Sequence, residues 1–316
     1  MLKEVSILIL TYNEEANLPG CLDSLEGINA SIFVVDSFST DATLQILDER
    51  KIRFIQHPFE NYSAQRNWAQ QANPYNTEWV FHLDAGERLT SELAAWLTSF
   101  DPSVQDVDGY MFSRKTMFFD QWIKYGGHYP NYHLRLFRVT KGRCEDKVYD
   151  QHFVLDGVAE TIPAGIDIID TVTDNLRDFT IGHAKWAVFE AMEAVQKMQK
   201  NKGEVQPNLR GNPIEKRRWL KNNVFMRAPL FWRSFLYFVY RYFFKLGFLD
   251  GRKGLIFHFL QGFWFRFLID SMIVEITYKL STGKTLEQVG LELGVDVKKL
   301  FKEFSELSTK NPSSTS

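Results

Sequence analysis

The apolar positions of the first hundred residues recur in a strand-and-helix rhythm. Residues 5–10 (VSILIL) form an apolar run rich in β-branched side chains, as a buried parallel strand requires. In residues 14–26, Leu18, Cys21, Leu22 and Leu25 recur at helical spacing. Residues 32–36 (IFVVD) predict a second strand, and Thr40 or Asp41 the cap of a helix carrying Leu44, Ile46 and Leu47. A third strand (52–56), a helix (62–72) and a fourth strand (79–84, WVFHLD) follow. Such alternation predicts right-handed βαβ units, an α/β fold with a mostly parallel sheet and helices on both faces.

In such sheets ligands bind at the carboxyl ends of the strands. The polar residues there are Thr11-Tyr12-Asn13-Glu14, Asp36-Ser37 and Asp84. Asp36 at a strand end suits a base or ribose hydrogen bond. Asp84, after an apolar-rich stretch, is costly unless paired or on a metal. Asp84 and Glu87, three apart in a tight turn, are the spacing that holds Mg2+ or Mn2+ against a diphosphate. The plainer reading of Glu87 is a favourable charge at a helix N-terminus.

From about 108 the pattern changes. Residues 108–115 and 133–139 predict strands, and 125–132 between them a functional loop. Residues 184–200 predict an amphipathic helix, 201–215 a linker or mobile loop, and 308–316 a disordered tail. Residues 285–307 predict two short helices about Gly294 and carry no functional reading.

The segments VSILILTYNEEANLPGCLDSL, VVDSFSTDAT, SAQRN (Ser63 to Asn67) and LDAGE, in this order over residues 4–100, resemble glycosyltransferase family 2, the inverting GT-A fold. The resemblance implies a Rossmann-like catalytic domain over 1–200, with a donor half to about 100 and an acceptor half to about 200. It places Tyr12 and Glu14 at the nucleotide, Asp36 on the base, Arg66 and Asn67 near the ribose-diphosphate, and Asp84 in the metal-binding DxD. One departure stands out: the second acid of DxD falls on Gly86. That leaves metal dependence open, though not donor binding.

Later segments resemble a narrower group, the lipopolysaccharide-core β-glucosyltransferase-like enzymes. Where that group has Val-His-Glu, this chain has Val148-Tyr149-Asp150. Inverting transfer needs a carboxylate to take the acceptor hydroxyl proton. Asp150 is the expected base, with Asp146 and Glu145 as alternatives. Arg135 and Arg138, on LRLFR, face acceptor or diphosphate charge, or else form a paired strand face. The group also has a histidine at the place of His183, implying a metal or diphosphate contact against the plainer structural role. His128 is expected to line the acceptor pocket.

Composition changes the picture at the C-terminal side. Trp219 to Phe267 holds 18 aromatic residues. Arg210 to Lys253 holds eleven Lys/Arg against two acids, a surplus of nine within a chain of net charge −2. Residues 230–244 and 254–269 are too short, and too interrupted by Arg233, Arg241, His258 and Arg266, to span a bilayer. Interfacial helices over 216–280, drawn to anionic headgroups, fit better, with packing against the donor half or a homodimer interface as the alternatives. Continuous aliphatic-rich aromatics argue against nucleic acid. Two distant cysteines, Cys21 and Cys144, and no long apolar segment near Met1 predict a cytoplasmic, peripheral enzyme on the inner face of the membrane.

The expected function is inverting transfer from a nucleoside-diphosphate sugar, UDP-linked, to a cell-envelope glycan or lipid-linked acceptor, as in lipopolysaccharide or exopolysaccharide synthesis. A catalytically degenerate scaffold is the non-enzyme alternative. A sugar nucleotidyltransferase would want a Gly-rich basic loop after the first strand, which TYNEEANL lacks.

Overall fold

The computed structural model describes residues 5–146, 151–173, 175–197, 208–225, 227–295 and 297. Its centre is a mixed sheet that begins with β1 (Val5–Thr11), β2 (Ser31–Asp36), β3 (Arg53–Gln56) and β4 (Trp79–Asp84), all parallel. Next come β5 (Glu87–Leu89), β6 (Gly109–Phe118), β7 (Gln121–Trp122) and β8 (Tyr132–Arg138). A short hairpin of β9 (Gly142–Cys144) and β10 (Phe153–Leu155) is followed by β11 (Ala159–Thr161) and β12 (Asp167–Thr173). The order across the main sheet is β3-β2-β1-β4-β8-β6-β12-β5, with β7 and β11 on β6. Strand β8 runs antiparallel to both neighbours, so the sheet changes character where the sequence pattern does.

Period-two alternation inside the buried strands builds two apolar layers. Val5, Ile7 and Ile9 of β1 and Trp79, Phe81 and Leu83 of β4 face one core. Helices α1 (Leu18–Asp23), α2 (Thr43–Glu49) and α4 (Ser91–Ser99) cover it through Leu18, Leu22, Leu47, Leu93 and Leu97. Leu8 and Val80 point to the other face, against Ala69 of α3 (Tyr62–Ala72). Both α3 and α4 start on side-chain caps, from Asn61 and Thr90.

A second apolar core lies among helices. Ala187, Ala191 and Met192 of α5 (Leu176–Lys197) pack on Ile269, Ile273 and Ile276 of a later helix, with Val289. The intervening helices are α6 (Pro213–Leu220), α7 (Trp232–Val239) and α8 (Gly251–Phe257); then come α9 (Phe265–Ser281) and α10 (Leu286–Glu292). Wider π-type turns occupy 221–225, 240–244 and 258–264. Helix α5 begins eight residues before the predicted 184, which puts His183 inside the helix. Most of the predicted linker, 201–207, and the tail 308–316 lie outside the described residues; 208–215 already turns into α6 on an Asn212–Glu215 capping box. Of the two helices expected in 285–307, only the first is described.

Asp270 ties these helices together. Its carboxylate accepts from Arg233 Nε (2.8 Å) and Nη2, the Phe231 N–H (2.7 Å) and Ser234 Oγ (3.1 Å), with both charged residues at least 96% buried. Breaking one side of such a pair strands the other charge in the interior. Asp270→Ala is therefore expected to lower unfolding stability by about 3–5 kcal/mol in urea titration, and Asp270→Asn by less.

Candidate functional site

The strand register brings the predicted acids together. Thr11 pairs with Asp36 across β1–β2, and Leu10 with Asp84 across β1–β4. Both acids therefore end the parallel strands on either side of β1, at the same edge of the sheet. Asp36 is fully buried. It accepts from Thr11 Oγ1 (2.9 Å), Ser39 N–H (2.9 Å), Ser39 Oγ (2.5 Å) and Gln56 Nε2 (3.1 Å). The loops after β1 and β2 are laced together: Asn13 N–H donates to Ser39 Oγ (2.8 Å), and the Asn13 side chain accepts from the Thr40 N–H (2.8 Å). Asn13 and Phe38 both adopt left-handed backbone, a strain that concentrates at functional edges. Tyr12 and Phe38 stand exposed at 61% and 51%, so aromatic faces are open beside the buried Asp36.

Asp84 is held by guanidinium groups. Arg66 Nη2 lies 2.8 Å from one oxygen and Arg135 Nη2 3.5 Å from the other, while the side chain stays 39% exposed. Arg66 is itself sandwiched 5.5 Å from the Tyr62 and Phe153 rings. Arg135 also meets Glu87 Oε1 at 2.5 Å, and Glu87 Oε2 accepts from the Asp84 N–H at 3.0 Å. Arg114 on β6 lies 3.9 Å from Glu87 and 3.4 Å from Asp170. Burial alone would raise Asp84, but Arg66 and Arg135 outweigh it and hold the carboxyl well below the usual range. Glu87 moves the other way: burial, with Asp84 and Asp170 nearby, outweighs Arg135 and raises it. Burial also lifts Glu14, and the charges of Asp84 and Asp41 add to the rise. Beneath the edge, the buried Cys21 Sγ points to the Asp84 carbonyl at 3.9 Å, and burial pushes that thiol up.

Several expectations change. Arg135 does not look outward to an acceptor; it is 4% exposed and belongs to the acid cluster, because its strand lies directly beside β4. Asn67 spends both ends of its amide on the Cys144 backbone, at 3.0 and 2.8 Å, so it braces β9 instead of reaching a ribose-diphosphate. Arg138 pairs with Glu78, the paired-strand alternative. His183 stacks on Phe179 at 3.8 Å and commits its nitrogens to the Phe179 carbonyl and Gln261, away from the acid cluster. His128 sits between Thr116 Oγ1 (2.8 Å) and Arg241 (2.9 Å), so both ring nitrogens are engaged inside the predicted loop. Asp150, the expected base, lies outside the described residues. Its alternative Glu145 is buried, 3.0 Å from Arg218. Arg114, Tyr62 and Phe153 were not singled out from the sequence. Only the register of β6 on β8 and β12, and the packing of α3, bring them here.

The donor set does not fit a divalent cation. Position 86 is glycine, Glu87 is turned inward to Arg135, and Asp84 already faces two guanidiniums. Among the described residues no group of three His, Cys, Asp or Glu is placed to hold a metal ion, so Asp84, Glu87 and His183 do not form the expected trio. Cavities of about 650 Å3 beside Gln70 and Lys141 and about 520 Å3 beside Val5 and Phe100 both lie toward the opposite edge.

Residues 6–93 match the family model described as Glycosyl transferase family 2. That segment, which is similar to the family 2 glycosyltransferase domain, contains Asp36, Arg66, Asp84 and Glu87. The chain is 33% identical over 150 residues to the lipopolysaccharide core biosynthesis glycosyltransferase LpsC of Rhizobium meliloti (strain 1021), covering 45% of this chain and 53% of that protein. It is 34% identical over 92 residues to an uncharacterized glycosyltransferase of Rickettsia typhi, covering 29% and 31%. The chain thus spans about half the length of the first relative and a third of the second. Among solved structures, S. aureus TarS 1–349 aligns over 88% of this chain and 92% of that one, with 13% identity and a TM-score of 0.41.

Acid sensitivity follows from the histidines around this edge. Burial first, then Arg66 and Arg135, lower His82 to about 3, and burial beside arginines lowers His128 and His133 in the same direction. A depressed folded-state value means that the unfolded chain binds the proton first. Stability is full above about pH 6.5 and falls as pH drops toward the folded value. Between pH 7 and 5 His82 is expected to cost about 2 kcal/mol, with His128 and His133 acting in the same direction. Urea unfolding at the two pH values checks this, with His82→Gln reducing the slope.

Proposed function

We propose that this chain is an inverting glycosyltransferase moving a sugar from a nucleoside-diphosphate sugar, UDP-linked, to a cell-envelope glycan or lipid-linked acceptor. The observation that carries the reading is the convergence of Asp36 and Asp84 on one strand edge, with Arg66 and Arg135 gathered on Asp84. The base lies over the exposed Tyr12 and Phe38 rings, near Asp36 and Thr11. The diphosphate lies toward Asp84, where it draws on the guanidinium groups of Arg66 and Arg135 for the charge that a cation supplies in other designs. Such charge-assisted, bidentate contacts are strong and geometrically selective. Glu14 and Asp84 border the sugar end.

Asp150 takes the acceptor hydroxyl proton as the oxygen attacks C1 opposite the departing diphosphate. The described residues flanking it along the chain support this choice: Phe153 packs against Arg66, and Glu145 is committed to Arg218 and the His152 N–H. The similarity to LpsC fits a lipopolysaccharide-type acceptor. The work is placed at the inner face of the membrane, the surface through which a lipid-linked acceptor would be met.

Isothermal titration with UDP tests the donor site. The full chain is expected to bind UDP in EDTA, with Mn2+ changing affinity by less than about threefold, and Arg66→Gln to weaken binding by about 10–100-fold. A chain that binds no UDP with or without Mn2+ is a degenerate scaffold. Asp150→Asn is expected to cut turnover by about 100-fold or more while UDP affinity holds. Near-full turnover in that variant, with loss in Asp146→Asn, would move the base to Asp146.

A further inference from the structure

The helix that opens the aromatic segment is inside out. On α7 and the turn after it, Arg233, Ser234 and Arg241 are buried, whereas Trp232, Phe235, Leu236, Tyr240, Phe243 and Phe244 are between 47% and 75% exposed. The exposed set recurs three and four residues apart, so it forms one continuous stripe. A helix facing water places these types the other way round. The stripe continues over neighbouring elements: Phe248 and Leu249, Leu255 and Ile256, and Phe259 are all at least 39% exposed. Ring contacts join it from Phe267 through Phe263 and Phe259 to Phe238, Tyr242 and Phe248. No helix among the described residues is long and apolar enough to cross a membrane.

Charge selects the occupant. From Lys216 to Val274 the only acids are Asp250 and Asp270, and both are buried. Arg227, Lys245, Arg252 and Lys253 are exposed in the same stretch. A second copy of this face would bring cations against cations, whereas an anionic headgroup layer over an acyl interior matches both features.

We propose that the face formed by residues 231–259 lies in the headgroup region of an anionic bilayer, aromatic stripe inward to the lipid, and that it carries the loop at 121–128 with it. This rests on the transferase reading only for its purpose. The loop is bolted to the face: the Asp250 carboxylate accepts the N–H groups of Lys124 (3.1 Å) and Tyr125 (3.0 Å). Arg241 Nε donates to the Gly126 carbonyl (2.7 Å), and the Gly126 N–H donates to the Lys245 carbonyl (2.8 Å). Gly126 has φ of +70°, and a Cβ there would collide with His258, so glycine alone fits. From the loop, His128 reaches Thr116 on β6, two residues from Arg114 at the acid cluster. Docking therefore presents the acceptor side of the site at the level of the headgroups.

Vesicle flotation of the full chain tests this without any sugar nucleotide. Binding is expected to phosphatidylcholine vesicles containing phosphatidylglycerol, weakening with added salt, and to fall at least tenfold in a Trp232→Ser/Phe243→Ser/Phe244→Ser variant with unchanged thermal unfolding and UDP affinity. No flotation with phosphatidylglycerol vesicles, or equal flotation of the variant, overturns the proposal. So does a wild-type dimer in light scattering that the variant turns to monomer while neither floats. Because UDP binding is read separately, loss of the donor site and loss of the docking face are distinguishable.

Discussion

The contact on which the acid edge of the sheet depends is the grip of Arg66 and Arg135 on Asp84. Three elements meet there: α3 supplies Arg66, β4 supplies Asp84, and β8 supplies Arg135. An acid at a strand end, beside the buried Glu87, would otherwise face like charge at close range. The two guanidiniums make the pair tolerable and leave Asp84 ionised. Fold and chemistry are thus joined: displacing β8 by one register step would point Arg135 away and leave Glu87 buried against Asp84.

Much of this was legible in the sequence because one physical rule controls it. Buried parallel strands need unbroken apolar runs, and 5–10, 32–36 and 79–84 announce their own ends by the first polar residue after the run. Asp36 and Asp84 follow directly. Arg66 came from the resemblance carried by SAQRN, and the structure sets it on Asp84. What was not legible depends on long-range register. Arg135 read as outward because LRLFR alone does not say which neighbour β8 has. Asn67 read as a ligand contact because nothing local foretells that β9, 77 residues on, arrives to take its amide. His183 read as a helix-start residue because the helix begins earlier than its apolar pattern.

The loop at 121–128 differs in kind. There the predicted loop is real, but its histidine is enclosed by Thr116 and Arg241 instead of lining an open pocket. Its shape is imposed from outside by Asp250, Arg241 and Lys245, on helices over a hundred residues away. The aromatic, basic composition of that segment was plain in the sequence. The burial of its arginines was not, since a count of charges does not say which of them face inward.

The buried arginines of α7 and of the turn after it also remove a choice from the molecule. A helix with an ordinary polar face can roll, hiding its greasy side when no partner is present. Here rolling would drag Arg233 off Asp270 and Arg241 off the Gly126 carbonyl, abandoning a carboxylate in the interior. The aromatic side is consequently permanent, with no retracted form in reserve.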